Sequence, residues 1–521
     1  MLVLQLPLAM KEIIPDTILK ITDIKPEHPK CLTLVFGLKK CFSTCKQAIF
    51  EREQFLNQFE TELQANKWPT NYFRSCKPNL VMRKNSVIVW SLVVALGGFL
   101  FGFDTAVISG AEKSIQAYWN LNVFEHGLTV SIALIGTVLG SLLGSIPSDK
   151  IGRKKTLFLV ALLYLFSSLG TALATNWGVF LVFRLLGGFG VGISSVTAPI
   201  YISEISPANS RGRLVGLFQF NVVLGILISY LSNYIIGQGG EGSWRLMLGI
   251  QALPSALFYI LIFLVPESPR WLVLHKGKKD EALEVLKKIN PLNCHEELES
   301  IAVAHKSYDS NEKLLSKKYK LPITLAVLFA IFNQVSGINA IIYYAPRIFE
   351  MAGLGAHTSL LSTVGIGMVN FTFTLIAIGF IDKIGRRTLM LIGSVGLILS
   401  LGLVSNTFFS GNFNGMAITF YLMIYIAFFA FSQGAVIWVF ISEIFPNEVR
   451  AKGQTLGSFT HWIMAAIVAF SFPYLAEKLG GGTTFMFFSA MMVLQLLFVW
   501  KLMPETKGKS LEQIEHNMMM H

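Results

Sequence analysis

From Asn85 onward the chain alternates long apolar runs with short polar joints, and this pattern predicts the architecture. Twelve apolar segments fall at about 86–110, 127–147, 156–175, 178–202, 213–236 and 245–265, then 322–349, 357–381, 388–410, 416–442, 453–475 and 482–503. Most reach the ~20 residues that cross a bilayer as a helix. Glycine and proline in the seventh and tenth predict breaks there. The joints at 148–155, 203–213, 266–321, 382–387 and 443–452 are rich in Lys and Arg. Those near 175–177, 237–243, 350–356 and 411–415 are nearly free of them. That asymmetry puts the basic joints and both termini in the cytoplasm. The expected fold is an all-α membrane protein of 12 transmembrane helices, six on either side of a longer cytoplasmic linker.

The linker, 266–321, has a helical period of its own. Ala282, Val285, Leu286 and Ile289 share one face, and Asn290-Pro291 stops that helix. Leu298, Ile301 and Ala302 suggest a second helix. Amphipathic helices lying under the two halves account for this stretch.

The halves are repeats. Asp149-Lys150-Ile151-Gly152-Arg153 returns as Asp382-Lys383-Ile384-Gly385-Arg386. Ile202-Ser203-Glu204-Ile205 with Pro207 and Arg211 returns as Ile441-Ser442-Glu443-Ile444 with Pro446 and Arg450, and Pro266-Glu267 as Pro504-Glu505. Three echoes in one order at nearly one offset describe a duplicated chain. The expected organisation is 82–265 as one six-helix bundle, 266–321 as linker, 322–503 as the second bundle and 504–521 as a cytoplasmic tail. Residues 1–81 are charged and hold no spanning run. Met82-Arg83-Lys84 directly precedes the first span, so the reading is that Met82 is the natural start and 1–81 a start-site artefact. A genuine cytoplasmic extension is the alternative.

Composition agrees with the pattern: 53% of the 521 residues are hydrophobic and only 14% charged. The excess of 43 Lys+Arg over 31 Asp+Glu sits in the joints, which argues against a nucleic-acid surface. Cys31, Cys41, Cys45 and Cys76 precede the apolar body and Cys294 lies in the linker, so no disulfide framework or metal spacing is present there. With no nucleotide loop and no catalytic constellation, neither a cofactor nor an enzyme is expected.

Two ions are out of place. Asp104 lies inside span 1, read as the only acid well within an apolar segment, and Arg184 lies inside span 4. Each costs about 2.5–3.5 kcal/mol at a helix centre on insertion scales, so the two are expected to face inward and pair. A static pair would only fix helix packing. A pair that separates during a conformational change would make Asp104 a proton carrier, because desolvation and a neighbouring cation push a carboxyl in opposite directions. The repeated charges Asp149, Arg153, Glu204 and Arg211, with Asp382, Arg386, Glu443 and Arg450, read singly as topology anchors. Their duplication favours a cytoplasmic charge latch between the halves.

Gly144-Ser145-Ile146-Pro147-Ser148-Asp149-Lys150-Ile151-Gly152-Arg153-Lys154-Lys155 resembles the loop motif of the major facilitator superfamily. Arg184-Leu185-Leu186-Gly187-Gly188, Pro266-Glu267-Ser268-Pro269-Arg270-Trp271-Leu272 and Pro504-Glu505-Thr506-Lys507-Gly508 resemble motifs of its sugar porter family. So do Gln334-Val335-Ser336-Gly337-Ile338-Asn339 and Tyr343-Tyr344-Ala345-Pro346. The resemblance spans about 83 to 515. It implies two six-helix bundles with alternating access to a monosaccharide held at the midplane. By the same resemblance the sugar contacts fall on Gln219, Asn333, Gln334, Asn339 and Asn370, with Trp438 stacking near the ring and Phe101 and Trp462 as further aromatic contacts. Tyr343 and Tyr344 follow Gln334 at helical spacing and are expected at the extracellular gate. Taken alone, each amide could equally be interhelical glue.

The chain departs from the family at three positions. Asn333 replaces the first of two glutamines, with a shorter reach. His461 stands where relatives often carry Asn or Gln, and sugar contact, packing and a second proton role all stay open. Ile226 occupies the place of a second glutamine in bacterial xylose–proton symport, which favours a hexose over a pentose. Asp104 matches the acid of proton-coupled members, whereas animal facilitators carry an amide. The expected protein is a sugar–proton symporter of a bacterial inner membrane, functional as a monomer, whose partners are a sugar, a proton and the bilayer. A uniporter of the same fold is the alternative, and a membrane sugar sensor a remote one.

Overall fold

The computed structural model describes residues 77–507 apart from 208–209, 241, 292, 307–313, 412–414 and 447–448. The chain divides into two units, Met1–Val81 and Met82–His521, and every apolar span belongs to the second. Among the described residues, 12 helices are long and apolar enough to cross a membrane. In the first half they are Ser86–Trp119, Val123–Leu143, Arg153–Leu173, Trp177–Ile205, Arg213–Gly239 and Ser243–Leu264, spans 1 to 6. In the second they are Lys317–Met351, Ala356–Ile381, Arg386–Phe409, Gly415–Ile444, Lys452–Lys478 and Gly480–Lys501, spans 7 to 12. Large apolar side chains such as Leu173, Ile235, Leu253, Phe263, Met416 and Trp500 point outward, as hydrocarbon solvent requires.

Close helix approach replaces hydrophobic burial as the packing force here, and it depends on missing side chains. A Cβ at Gly102 would fall 1.9 Å from the Val222 carbonyl oxygen, which locks span 1 onto span 5. A Cβ at Gly188 would fall 1.8 Å from the Ala133 carbonyl oxygen, which does the same for spans 4 and 2. Spans 2 and 11, and spans 5 and 8, form the seam between the halves.

The expected breaks occur. Span 7 is interrupted at Ser336-Gly337, where Gly337 takes φ 87° between helices Lys320–Val335 and Ile338–Met351. Span 10 is interrupted at Ser432 (φ −115°, ψ −89°), ahead of Gln433–Ile444. The linker helices also form: Lys279–Ile289 buries Ala282, Val285 and Leu286 and ends at Asn290, and Cys294–Lys306 follows. A further helix, Pro269–Lys276, is hidden in the sequence by its motif; Ser268 caps it and Pro269 opens it. Span 1 departs most from expectation. Its helix continues past residue 110 to Tyr118, because Glu112 and Lys113 are carried inside it rather than ending it.

Each half repeats one turn device. Gly152 (φ 100°, ψ 161°) and Gly385 (φ 100°, ψ 155°) turn the chain into spans 3 and 9 in a conformation essentially restricted to glycine. Against Gly152 lies the Glu267 carboxylate, which accepts from the Lys154 N–H (3.1 Å). Against Gly385 lies Glu505, which accepts from the N–H groups of Arg386 (2.9 Å) and Arg387 (3.0 Å). A carboxylate borrowed from the end of each half thus caps the first free N–H groups of its third helix, where the helix dipole also favours it. Burial pushes the Glu267 carboxyl above its ordinary value, while the Ser268, Lys154 and Arg153 N–H groups and the Arg153 charge pull it back.

Gly385→Ala forces a Cβ into the Glu505 carboxylate and a disfavoured φ. The expected loss is about 1–3 kcal/mol from backbone strain alone, read as a clear fall in thermal midpoint in detergent. A midpoint equal to wild type would mean the turn is not held as described.

Candidate functional site

The two intramembrane ions meet. Arg184 Nη1 donates to Asp104 Oδ1 at 3.0 Å, with side chains 2% and 4% exposed. Asp104 is carried by span 1 and Arg184 by span 4, so the pair lies wholly within the first half. Its immediate neighbour is Gly187, one turn beyond Arg184, where an added Cβ would lie 3.7 Å from the carboxylate. The contact is single. Arg184 Nε and Nη2 are buried without a partner among the described residues. A guanidinium can donate five hydrogen bonds, often two of them side by side to one carboxylate. A purely structural buried pair is expected to satisfy those donors.

In the second half the break in span 7 gathers amides. The Gln334 side-chain nitrogen donates to Asn333 Oδ1 (2.9 Å) and lies 3.1 Å from His461 Nε2. Asn339, on the helix after the break, donates to Gln334 Oε1. The Asn333 amide reaches the Gln433 carbonyl at the break of span 10 (3.5 Å). His461 sits between two indoles, with ring centroids 4.9 Å from Trp438 and 4.8 Å from Trp462. Trp462 in turn meets Phe101 of the first half at 5.4 Å. Trp438 is 37% exposed, so part of its ring is uncovered.

Among the described residues, Gln219 and Asn370 have no hydrogen-bond partner; Gln219 is half-buried and Asn370 8% exposed. They stand on spans 5 and 8, the facing pair at the seam. The structure therefore brings Asn333, Gln334, Asn339, His461, Trp438, Trp462 and Phe101 into one continuous set. Gln219 and Asn370 stand outside that hydrogen-bonded set, with free amides. Such a mixture of amides, imidazole and aromatic faces can bind a polyhydroxylated ring, through hydrogen bonds to hydroxyls and contact with the C–H face.

Tyr343 and Tyr344 are fully buried toward the C-terminal end of span 7. The Tyr344 hydroxyl donates to the Ala469 carbonyl, while Tyr230 of span 5 donates across the seam to the Ile342 carbonyl at 2.9 Å.

The repeated charges form one set in each half. Arg153 pairs with both Glu204 oxygens (3.1 Å each) and with Asp149 (3.0 Å), and Arg386 pairs with both Glu443 oxygens (3.2 and 2.8 Å). Ser268 and Thr506 complete the two sets by donating to Glu204 and Glu443. Every one of these bonds stays inside its own half. Arg211 and Arg450 do not pair with the glutamates; their Nε atoms donate to the Ser203 and Phe445 carbonyls, because each begins the helix after the turn. The Asp382 side chain lies outside the described residues.

Sequence reasoning missed a second intramembrane cluster. Glu112 of span 1 is 1% exposed, bonded to His126 of span 2 and to Arg347 of span 7. Asp104 is therefore not the only buried acid of the spans. Two of the three residues lie just beyond the expected segment ends, at 110 and 127, and Arg347 is absorbed in an apolar run. The charged residue after Tyr343-Tyr344-Ala345-Pro346 is the signal that could have found the cluster.

A family profile described as Sugar (and other) transporter matches residues 90–518. The D-xylose-proton symporter of Escherichia coli (strain K12) is 35% identical over 476 residues, covering 83% of this chain and 96% of the relative. A glucose transport protein of Synechocystis is 37% identical over 455 residues, covering 82% and 97%. The solved inward-open conformation of the xylose transporter XylE from E. coli superposes with a TM-score of 0.75 at 33% identity, covering 83% of this chain and 99% of that one. This chain accordingly belongs to the sugar porter family of the major facilitator superfamily and is a multi-pass membrane transporter, not an enzyme.

Proposed function

We propose that the protein imports a monosaccharide together with a proton, by alternating access between its two halves. The observation that carries the proton is the single-contact Asp104–Arg184 pair, with two Arg184 nitrogens buried and unpartnered. Asp104 would load a proton when Arg184 swings away and release it when the guanidinium returns. Gln334, Asn339 and His461, with Gln219 and Asn370 across the seam, would hold the hydroxyls, and Trp438 would take the apolar face of the ring. Asn333 holds Gln334 in place and is a positioning residue. Tyr343 and Tyr344 would close the site on the extracellular side. The charge clusters around Arg153 and Arg386 would stiffen each half and meet its opposite only when the cytoplasmic side closes. Ile226 is apolar and packs beside Gly102, which favours a hexose. The relatives include both a D-xylose-proton symporter and a glucose transport protein. A bacterial inner membrane, cytoplasmic termini and a monomeric working unit complete the proposal.

The test is uptake of labelled D-glucose and D-xylose into proteoliposomes, with and without an imposed proton gradient. One proton moving through 100 mV supplies about 2.3 kcal/mol, roughly fifty-fold accumulation of a neutral sugar. Asp104→Asn is expected to abolish that accumulation while sugar exchange continues; unchanged uphill uptake would make the protein a symporter of another design. Uptake that only equilibrates the sugar, with or without the gradient, even in wild type would leave a facilitative uniporter.

Gln334→Ala removes the amide that links Asn333, Asn339 and His461. It is expected to raise the sugar concentration for half-maximal exchange about tenfold, the equivalent of ~1.4 kcal/mol. A value within a factor of about two of wild type would place the sugar elsewhere.

A further inference from the structure

The cluster of Glu112, His126 and Arg347 joins the halves at their extracellular ends and takes no part in the function proposed above. Glu112 and His126 are 1% and 0% exposed and belong to the first half; Arg347 belongs to the second, 29% exposed along its side chain. Glu112 Oε2 accepts from His126 Nε2 (2.5 Å) and from Arg347 Nη1 (3.2 Å). The same Nη1 lies 3.1 Å from His126 Nδ1 and 3.4 Å from Nε2, against the ring, and Nη2 donates to Gln116 Oε1 at 3.0 Å.

These contacts set one carboxylate and one guanidinium against the imidazole. The guanidinium lies close to both ring nitrogens, where a second cation is unfavourable, and the buried negative charge of Glu112 is balanced by Arg347. Opening the extracellular side carries Arg347 away with the second half. Glu112 is then left with an uncompensated buried charge, costly in a dry site.

We propose that His126 is a proton-binding site of the extracellular gate, occupied when Arg347 leaves. A proton from the extracellular solution binds the imidazole, and the resulting imidazolium takes over as counter-ion to Glu112. When the gate closes, Arg347 displaces that proton back to the same solution. Charge balances in both states, and no proton crosses the membrane by this route. Proton and arginine compete to balance one carboxylate, so external acidity favours the open gate. The inference rests on alternating access and not on Asp104, with which the cluster shares no residue.

Other charged or titratable groups around the site do not supply this exchange. Lys113 of span 1 pairs with Glu350 of span 7 across the seam, a self-neutralising pair whose Lys113 is already 63% exposed. Glu125, at the start of span 2, is half-buried and closes a capping box with Asn122. Tyr344 of span 7 meets the His126 ring edge-on at 5.8 Å while its hydroxyl is taken by Ala469. Span 11 brings Phe470 against Phe124 and Phe472 against Tyr344, both apolar.

The test measures gate opening directly. Spin labels are placed at Phe124→Cys and Tyr474→Cys, exposed positions on opposite halves, in full-length protein whose native cysteines are serine. Pulsed dipolar distances are then recorded in liposomes from about pH 8 to about pH 5, the range over which histidine changes charge. The expected result is a severalfold rise in the long-distance population on acidification. His126→Gln should flatten the response, and Glu112→Gln should also do so, whereas Asp104→Asn should keep it. If His126→Gln does not fold, Arg347→Gln carries the test: with its competitor gone the gate should be open across the range. A wild-type distribution indifferent to pH overturns the proposal, as does a wild-type response in His126→Gln or Arg347→Gln. Loss of the response in Asp104→Asn alone would overturn it too, and would assign the titration to the coupling pair.

Discussion

An ion in hydrocarbon cannot be left alone, and that constraint organises this protein more than any apolar contact does. Lipid tails offer helices little hydrophobic incentive to associate, so position is set by close backbone approach and by charges that must find partners. Asp104 finds Arg184 within the first half. Glu112 finds Arg347 across the seam. Arg153 and Arg386 find Glu204 and Glu443 at the helix ends. The pairs differ in completeness, and the difference is informative. Arg153 and Arg386 are doubly engaged with carboxylates, whereas Arg184 makes one contact and keeps two buried nitrogens idle.

Duplication is expressed as physics as well as letters. Gly152 and Gly385 adopt nearly the same dihedrals, and each is covered by the glutamate that ends its half. Joining the last helix of a half to the turn before its third helix makes that half behave as a unit. A rigid unit on either side of a seam is what alternating access requires. The broken spans 7 and 10 supply the exception. Their interruptions at Gly337 and Ser432 free backbone groups next to the amide set, so the non-helical backbone of the second half lies beside the polar side chains that line the candidate site.

Sites and gates are therefore built by different means in the two halves. The first half contributes a buried ion pair, the second an amide and aromatic wall, and contact between them at mid-depth runs through Phe101 and Trp462. Toward the far ends of spans 1, 5 and 7 a denser set of bonds holds the halves together, from Tyr230 to the Ile342 carbonyl and from Arg347 to Glu112 and Gln116.

The repeat was legible from its echoed motifs, and the candidate sugar contacts came only from the family resemblance. Span number was legible from letters alone, because in a bilayer the cost of exposing polar groups makes hydropathy nearly decisive. Asp104 and Arg184 were found for the same reason: each is an ion amid apolar neighbours. Partner choice was not legible. Arg153 and Arg386 turn to the glutamate of their own half, and Arg211 and Arg450 to carbonyls, because which acid a guanidinium meets depends on how helices far apart in sequence cross. Glu112, His126 and Arg347 escaped notice because each looks ordinary where it stands in the chain. They become one buried site only when spans 1, 2 and 7 converge, since a charge shared by three helices is a property of their packing and of none of them singly.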